Sequence, residues 1–190
     1  APIGGIIVGL LLTGLIITIF AKRKPAPVNK TFGRLQIISS AWFALTHGAN
    51  DGQKTMGIIA LILFSSGLIP NFEIPLWVIF AAATAMGLGT FFGGYKVIKT
   101  LGVKITRLRP YQGFAAETGG GLMLAAFAVL GIPASTTHAI TGTIMGAGAA
   151  RRKLAVRWKV SRQIVFSWII TIPGAAGMGI GFTYLIHLFV

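Results

Sequence analysis

Thr46-His47-Gly48-Ala49-Asn50-Asp51-Gly52-Gln53-Lys54-Thr55-Met56-Gly57 sets an imidazole, an amide, a carboxylate and an ammonium inside an otherwise apolar stretch. A carboxylate or ammonium in hydrocarbon is disfavoured by about 2.5 to 3.5 kcal/mol on insertion scales, so a membrane segment that keeps both has a use for them. One other stretch answers it chemically, Gly131-Ile132-Pro133-Ala134-Ser135-Thr136-Thr137-His138. The surroundings are membrane sequence. Of 190 residues, 54% are hydrophobic and only 11% charged, and the mean hydropathy is +0.80. A soluble domain would need a more polar surface. The absence of Cys excludes a disulfide framework, thiolate metal sites and Cys nucleophiles. The first apolar run has no basic segment before it, so no cleavable signal peptide is expected. Without an initiator Met, the chain reads as starting partway through a longer protein.

A net charge of +14 would point to nucleic acid in a soluble protein, so its placement decides the matter. Every one of the 17 Lys and Arg residues except Lys54 falls in three clusters, at 22–34, 96–109 and 151–162, between long apolar runs. This is the positive-inside pattern. It predicts basic cytoplasmic loops at about 21–35, 96–110 and 151–162 within a single transmembrane domain covering 1–190, with membrane lipids as neighbours. No interleaving of aromatic and basic residues accompanies the clusters, so nucleic acid is not an expected partner.

The charge-free run 3–20 is just long enough to span as a helix. Run 35–68 would make a helix of about 50 Å against a hydrocarbon core of about 30 Å. It is therefore expected to be discontinuous, with one half over 36–47, a break at Gly48 to Gly52, and a second half over 54–64. The following link, 65–75, has no Lys or Arg and is placed outside. Run 76–95 returns inward, and its Gly87, Gly89, Gly93 and Gly94 suit close helix packing. From 111 to 150 the chain leaves one basic segment and reaches another, which either a spanning or a re-entrant helical hairpin satisfies. Run 164–190 makes a last span that tolerates Pro173 and leaves the C-terminus outside. The fold class is an all-α polytopic membrane protein.

At the expected break, Asn50 and Asp51 supply oxygens beside unwound carbonyls, a set that suits a dehydrated Na⁺ or a proton. Capping alone explains Asn50 more easily than Asp51, because Ser or Thr would cap without a charge. Lys54 lies three residues after Asp51, at ion-pair spacing, and is alternatively a point charge near an anion path. His47 lies four residues before Asp51 and shares its helical face. The pair is too small for a structural metal site and suits proton relay or a packed, hydrogen-bonded histidine. Gln53 and Thr55 complete the accessory set.

In the second stretch Pro133 is expected to end one helix and start another. Ser135, Thr136 and Thr137 then occupy the cap and first turn. A helix N-terminus presents free N–H groups and about half a positive charge, and three hydroxyls add donors, which fits a tetrahedral oxyanion that must also be released. Ordinary capping is the bland alternative. His138 begins the helix and supports the turn from behind. Glu117, followed by Thr118-Gly119-Gly120-Gly121, is a second intramembrane carboxylate. Its plainer reading is an acid at the mouth paired with Arg107 or Arg109. On an unbroken helix it would lie about 27 Å from Ser135, so it reaches the same ion only if the glycine run breaks that arm.

At these residues the chain resembles the inorganic phosphate transporter family. His47 to Gly57 looks like the bacterial form of that family's Gly-Ala-Asn-Asp signature, Gly131 to His138 like its second element, and Glu117 matches a further functional glutamate. The resemblance implies a multi-pass cell-membrane protein, of a bacterial inner membrane, that moves inorganic phosphate together with Na⁺ or H⁺, without covalent chemistry and without a cofactor. It implies phosphate held by Ser135, Thr136 and Thr137 with Asn50 and Asp51, and a coupling ion at Asn50, Asp51, Ser135 and Glu117. Na⁺, if used, sits at Asn50 and Asp51. It also implies a re-entrant hairpin with the serine-threonine turn at its tip, and two inverted repeats. Only one signature is present, so the chain reads as the C-terminal half, needing the missing N-terminal repeat or a second copy in an oligomer. A sulfate permease of the same fold and a non-transporting membrane scaffold or receptor are the alternatives.

Overall fold

The computed structural model describes residues 1–151 and 155–188, apart from the side chains at positions 96 and 98. Arg152 and Lys153 of the third basic cluster, and the last two residues of the final span, lie outside the described residues. The helices are α1 (Pro2–Ile19), α2 (Pro25–Ser65), α3 (Leu76–Lys99), α4 (Pro110–Val129), α5 (Thr136–Ala149) and α6 (Trp158–His187). A π-helical turn, Thr100–Ile105, extends α3. No strand occurs among the described residues. Pro2–Ile19, Leu76–Ile105 and Trp158–His187 are long and apolar enough to cross a membrane. The chain divides into two units, Ala1–Val156 and Arg157–Val190. The second is α6, a single helix that carries Pro173 in its interior.

Helix starts follow from proline. Pro2, Pro25 and Pro110 stand at the first positions of α1, α2 and α4, where the missing N–H has no intrahelical acceptor to lose. Two glycines with positive φ stop helices. Gly67, at φ 70°, follows the last residues of α2, and Gly131, at φ 67°, follows those of α4. Around Gly131 the N–H of Ile132 donates to the Phe127 carbonyl at 2.9 Å and that of Gly131 to Ala128 at 3.2 Å. This is the paired closure of a helix end that an L side chain at that φ disfavours. Pro133 therefore neither ends α4 nor starts α5. Gly131 ends the first arm, and Ser135 caps the second.

Four helices of the first unit form its core: α1 packs on α5 and α4, and α4 packs on α2 and α5. The α1–α5 contact is backbone against backbone. A Cβ on Gly5 would meet the Ala139 carbonyl at 2.6 Å, while one on Gly9 would collide with the Thr143 carbonyl and one on Gly146 with the Ile6 carbonyl. Gly5/Gly9 and Gly142/Gly146 are reciprocal small-xxx-small pairs, the spacing that lets helices approach closely where no hydrophobic effect drives them together. The contacts advance together along both helices, so α1 and α5 run parallel. The glycines expected to pack tightly on α3 do not do so within this chain. Nothing lies within 4 Å of a Cβ built on Gly87, Gly89 or Gly93, and Gly94 meets only the Thr90 methyl, at 3.6 Å.

Two expectations need correction, and the open question of a break at the glycine run is decided. Helix α2 is one continuous helix of 41 residues, with no break at Gly48 to Gly52. Its polar side chains find partners on α4 and α5, so none is needed to cap an exposed backbone, and its excess length is of the kind helices absorb by tilting. Helix α4 is likewise unbroken through Gly119, Gly120 and Gly121. Those glycines make room for neighbours: a Cβ on Gly119 would meet Val8 at 2.7 Å, one on Gly120 would meet Phe43 at 3.2 Å, and Trp42 lies against Gly121. The basic segments are also mostly helical rather than loops, since α2 starts at Pro25 and the α3 helix and its π turn run to Ile105.

Candidate functional site

The site is built where the middle of α2 meets the tip between α4 and α5. Continuity of α2 places His47, Asp51 and Lys54 on one face. The Asp51 carboxylate takes Thr136 Oγ1 at 2.8 Å on Oδ2, His47 Nε2 at 3.0 Å on the same oxygen, and Lys54 Nζ at 3.0 Å on Oδ1. The Lys54 ammonium also donates to the Ala134 carbonyl at the tip. One side chain thus joins the carboxylate of the first motif to the backbone of the second. Asn50, only 4% exposed, donates to the Leu124 carbonyl of α4 at 2.9 Å. That carbonyl lies one turn before the end of α4, so Asn50 holds the first arm as Asp51 and Lys54 hold the second.

The tip itself is an N-terminus. Ser135 Oγ accepts from the His138 N–H at 3.4 Å, as an N-cap does. Thr136 is buried and turned to Asp51, whereas Ser135 and Thr137 are exposed. The N–H groups of the first helical residues have no intrahelical acceptor. A cavity of about 200 Å³ next to the tip is lined by Asn50, Gln53, Lys54, Phe127, Gly131 and Pro133, and Ser135, Thr136 and Thr137 are not among its walls. Its walls bring together the Lys54 ammonium and the amides of Asn50 and Gln53, while the neighbouring Asp51 carboxylate is already matched by Lys54 and Thr136.

Glu117 is not part of this cluster. Its carboxylate accepts from Ser39 Oγ at 2.6 Å and from Gln36 Nε2 at 3.3 Å, both on α2. Ser39 precedes Asp51 by twelve residues, or about 18 Å along the helix. Neither Arg107 nor Arg109 pairs with Glu117 among the described ion pairs. Thr55 also stays apart, its hydroxyl donating to the Asp51 carbonyl of its own helix at 3.1 Å. Without a break, α2 contributes no unwound carbonyl to hold Na⁺. The carbonyls that reach the cluster are those of Ala134 and Leu124, and both already accept hydrogen bonds. Among the described residues no group of three or more His, Asp or Glu could hold a metal ion.

Sequence reasoning missed two participants, the carbonyls of Leu124 and Ala134, and outside the cluster the Ser39/Gln36 pair that holds Glu117. Backbone acceptors have no sequence signal. Ser39 and Gln36 had one, two polar residues three apart on a face that also carries Asn50.

The sequence profile of the phosphate transporter family matches residues 3–179. Among curated proteins, a "probable low-affinity inorganic phosphate transporter" of Rhizobium meliloti (strain 1021) is 50% identical over 173 residues, covering 90% of this chain and 52% of that protein. One of the same description from Bacillus subtilis (strain 168) is 41% identical over 180 residues, covering 94% of this chain and 54% of its own length. Among solved structures, "the sodium-dependent phosphate transporter" is 27% identical with a TM-score of 0.68, covering 90% of this chain and 52% of that one. The chain spans about half the length of these relatives. It is an all-helical, multi-pass membrane protein from a family of transporters, not enzymes. On the extent of the profile match and these identities, the chain belongs to the phosphate transporter family.

Proposed function

We propose that the chain carries one substrate-binding half of a secondary transporter for inorganic phosphate. The observation that carries this reading is the hydrogen bond from Thr136 to Asp51, which unites two motifs 85 residues apart in one polar cluster inside apolar sequence. In this reading phosphate sits between the α5 N-terminus and the neighbouring cavity walled by Gln53 and Lys54. Ser135 and Thr137 hydroxyls and the free N–H groups of the turn donate to its oxygens, and Lys54 supplies a point charge. Asn50 holds the first arm and Thr136 holds the tip.

Coupling falls to Asp51. Its carboxylate is neutralised by Lys54 in this arrangement, so a coupling Na⁺ or proton competes with the lysine for it. A cation that displaces Lys54 frees the ammonium for the anion, and ion and substrate then stabilise each other's binding. The sodium-dependent relative favours Na⁺ at Asp51 and Asn50; His47, against the same oxygen, equips the site for a proton.

A re-entrant hairpin is supported by length. Helix α5 has 14 residues, about 21 Å, too short to cross a core of about 30 Å. The tip meets α2 at Asp51 and Lys54, and α2 runs eleven residues, about 16 Å, beyond Lys54. The tip therefore stops near mid-membrane. A second repeat, from a longer chain or a second copy, would close the other side of the cavity.

Uptake of labelled phosphate into vesicles that hold the chain together with the repeat that completes its site, with Na⁺ and pH gradients imposed separately, tests both parts. Accumulation driven by one gradient and resistant to excess sulfate is expected. Uptake unaffected by either gradient would remove the coupling role of Asp51, and equal competition by sulfate would remove phosphate selectivity.

A further inference from the structure

A second cavity, of about 180 Å³, opens at the basic end of the molecule, where the end of α1 meets the starts of α2 and α4. Its walls include Ile16 and Phe20 of α1, Arg23 of the short linker, Asn29 of α2, and Arg109 and Tyr111 at the head of α4. Asn29 precedes Asp51 by 22 residues on one continuous helix, about 33 Å, so this cavity is separate from the candidate transport site.

We propose that it binds the headgroup of an anionic glycerophospholipid, with the phosphodiester at Arg23 and Arg109 and an acyl chain along the apolar end of α1. Two guanidinium groups line the cavity and no carboxylate answers them. The chain has three acidic residues; Asp51 is engaged about 33 Å along α2, Glu117 is occupied by Ser39 and Gln36, about 10 to 15 Å along α2 from Asn29, and Glu73 lies in the link before α3. Guanidinium is the side-chain group best shaped for two-point contact with phosphate oxygens. The Asn29 Oδ1 is buried with no hydrogen-bond partner. An orphaned acceptor beside two cations calls for a ligand that is anionic and also carries a donor, which the hydroxyls of a glycerol headgroup supply.

Free phosphate would have no use for the apolar wall. Ile16 and Phe20 continue into a lipid-compatible surface on which Leu15 and Ile19 are 55% and 63% exposed. The cavity is also held open by its frame. Phe32 stacks edge-on against Phe20, with centroids 5.4 Å apart, and against Phe114 at 5.3 Å, tying α1, α2 and α4 together behind it. The basic segments place this end at the leaflet where anionic lipids gather.

Native mass spectrometry of the whole chain, titrated in detergent with phosphatidylglycerol or phosphatidylcholine, tests the assignment. One preferentially retained phosphatidylglycerol is expected, its affinity falling about thirtyfold in the double variant Arg23→Gln, Arg109→Gln and about fivefold in Arg23→Gln alone. Arg23 is exposed on the linker, so the single variant keeps the fold. Arg151→Gln, an exposed arginine outside the cavity, should retain the lipid. Equal binding of the two lipids, an unchanged affinity in both cavity variants, or the same loss in Arg151→Gln would overturn the site. Displacement by inorganic phosphate, itself abolished in the double variant, would reassign the cavity to the free ion and overturn the lipid.

Discussion

At the residue scale, Asp51 is the hinge of the reading, because donors from Lys54 and Thr136 converge on it and the His47 imidazole lies 3.0 Å from the same carboxylate. Asp51→Asn keeps the size and one acceptor but removes the charge that a cation or Lys54 recognises. Coupled phosphate uptake should be lost while membrane insertion is unchanged, as measured by transport beside surface labelling; wild-type uptake would exclude the role. Lys54 gives a complementary prediction. Replacing it with Met removes the resident ammonium, so Na⁺ should stabilise Lys54→Met against heat in detergent more than it stabilises the wild type, with choline as control. An identical response in both proteins would mean that Na⁺ and lysine do not compete for the carboxylate. Thr136 carries a structural share of the same contact. Thr136→Val preserves shape and removes one donor to a carboxylate, a loss of about 1 to 3 kcal/mol in unfolding free energy.

At the element scale, glycine has different meanings on different helices, and substitution separates them. Gly9 and Gly146 lie where α1 and α5 touch backbone to backbone, so Gly146→Ala should force the helices apart and destabilise the fold by about 1 to 3 kcal/mol. Gly89→Ala, with nothing within 4 Å, should leave thermal stability unchanged or raise it by up to about 1 kcal/mol through helix propensity. Equal effects at the two positions, read by unfolding in detergent, would contradict the α1–α5 packing. The same contrast marks what the amino-acid sequence made legible. Apolar runs and clustered Lys and Arg located the helices, and the two polar islands identified the residues that meet. The continuity of α2 was hidden, because the partners of Asn50 and Asp51, the Leu124 carbonyl and the Thr136 hydroxyl, belong to other elements. Glu117 was recognisable as an intramembrane acid, but its separation from Asp51 depended on whether Gly119 to Gly121 break α4 or pack against α1 and α2, which spacing alone leaves open.

At the scale of the whole molecule, the chain supplies one Asp51–Thr136 cluster, one hairpin and about half the length of its relatives. Alternating access in repeat-built transporters moves one repeat against another around a site at their interface, so if these residues are one such repeat, as proposed, they have nothing to move against by themselves. The tip cavity also has walls from α2, α4 and the tip alone, and a phosphate there would keep one side in contact with solvent or lipid. Reconstituted at fewer than one copy per vesicle, the chain should therefore give no phosphate uptake. If a second copy of this chain can stand in for the missing repeat, uptake should rise with the square of the protein-to-lipid ratio before it becomes linear. If only a distinct repeat completes the site, uptake should stay absent at every density and appear when that repeat is co-reconstituted. Uptake proportional to protein down to single-copy vesicles would mean that one repeat suffices, and the two-repeat account would have to be abandoned.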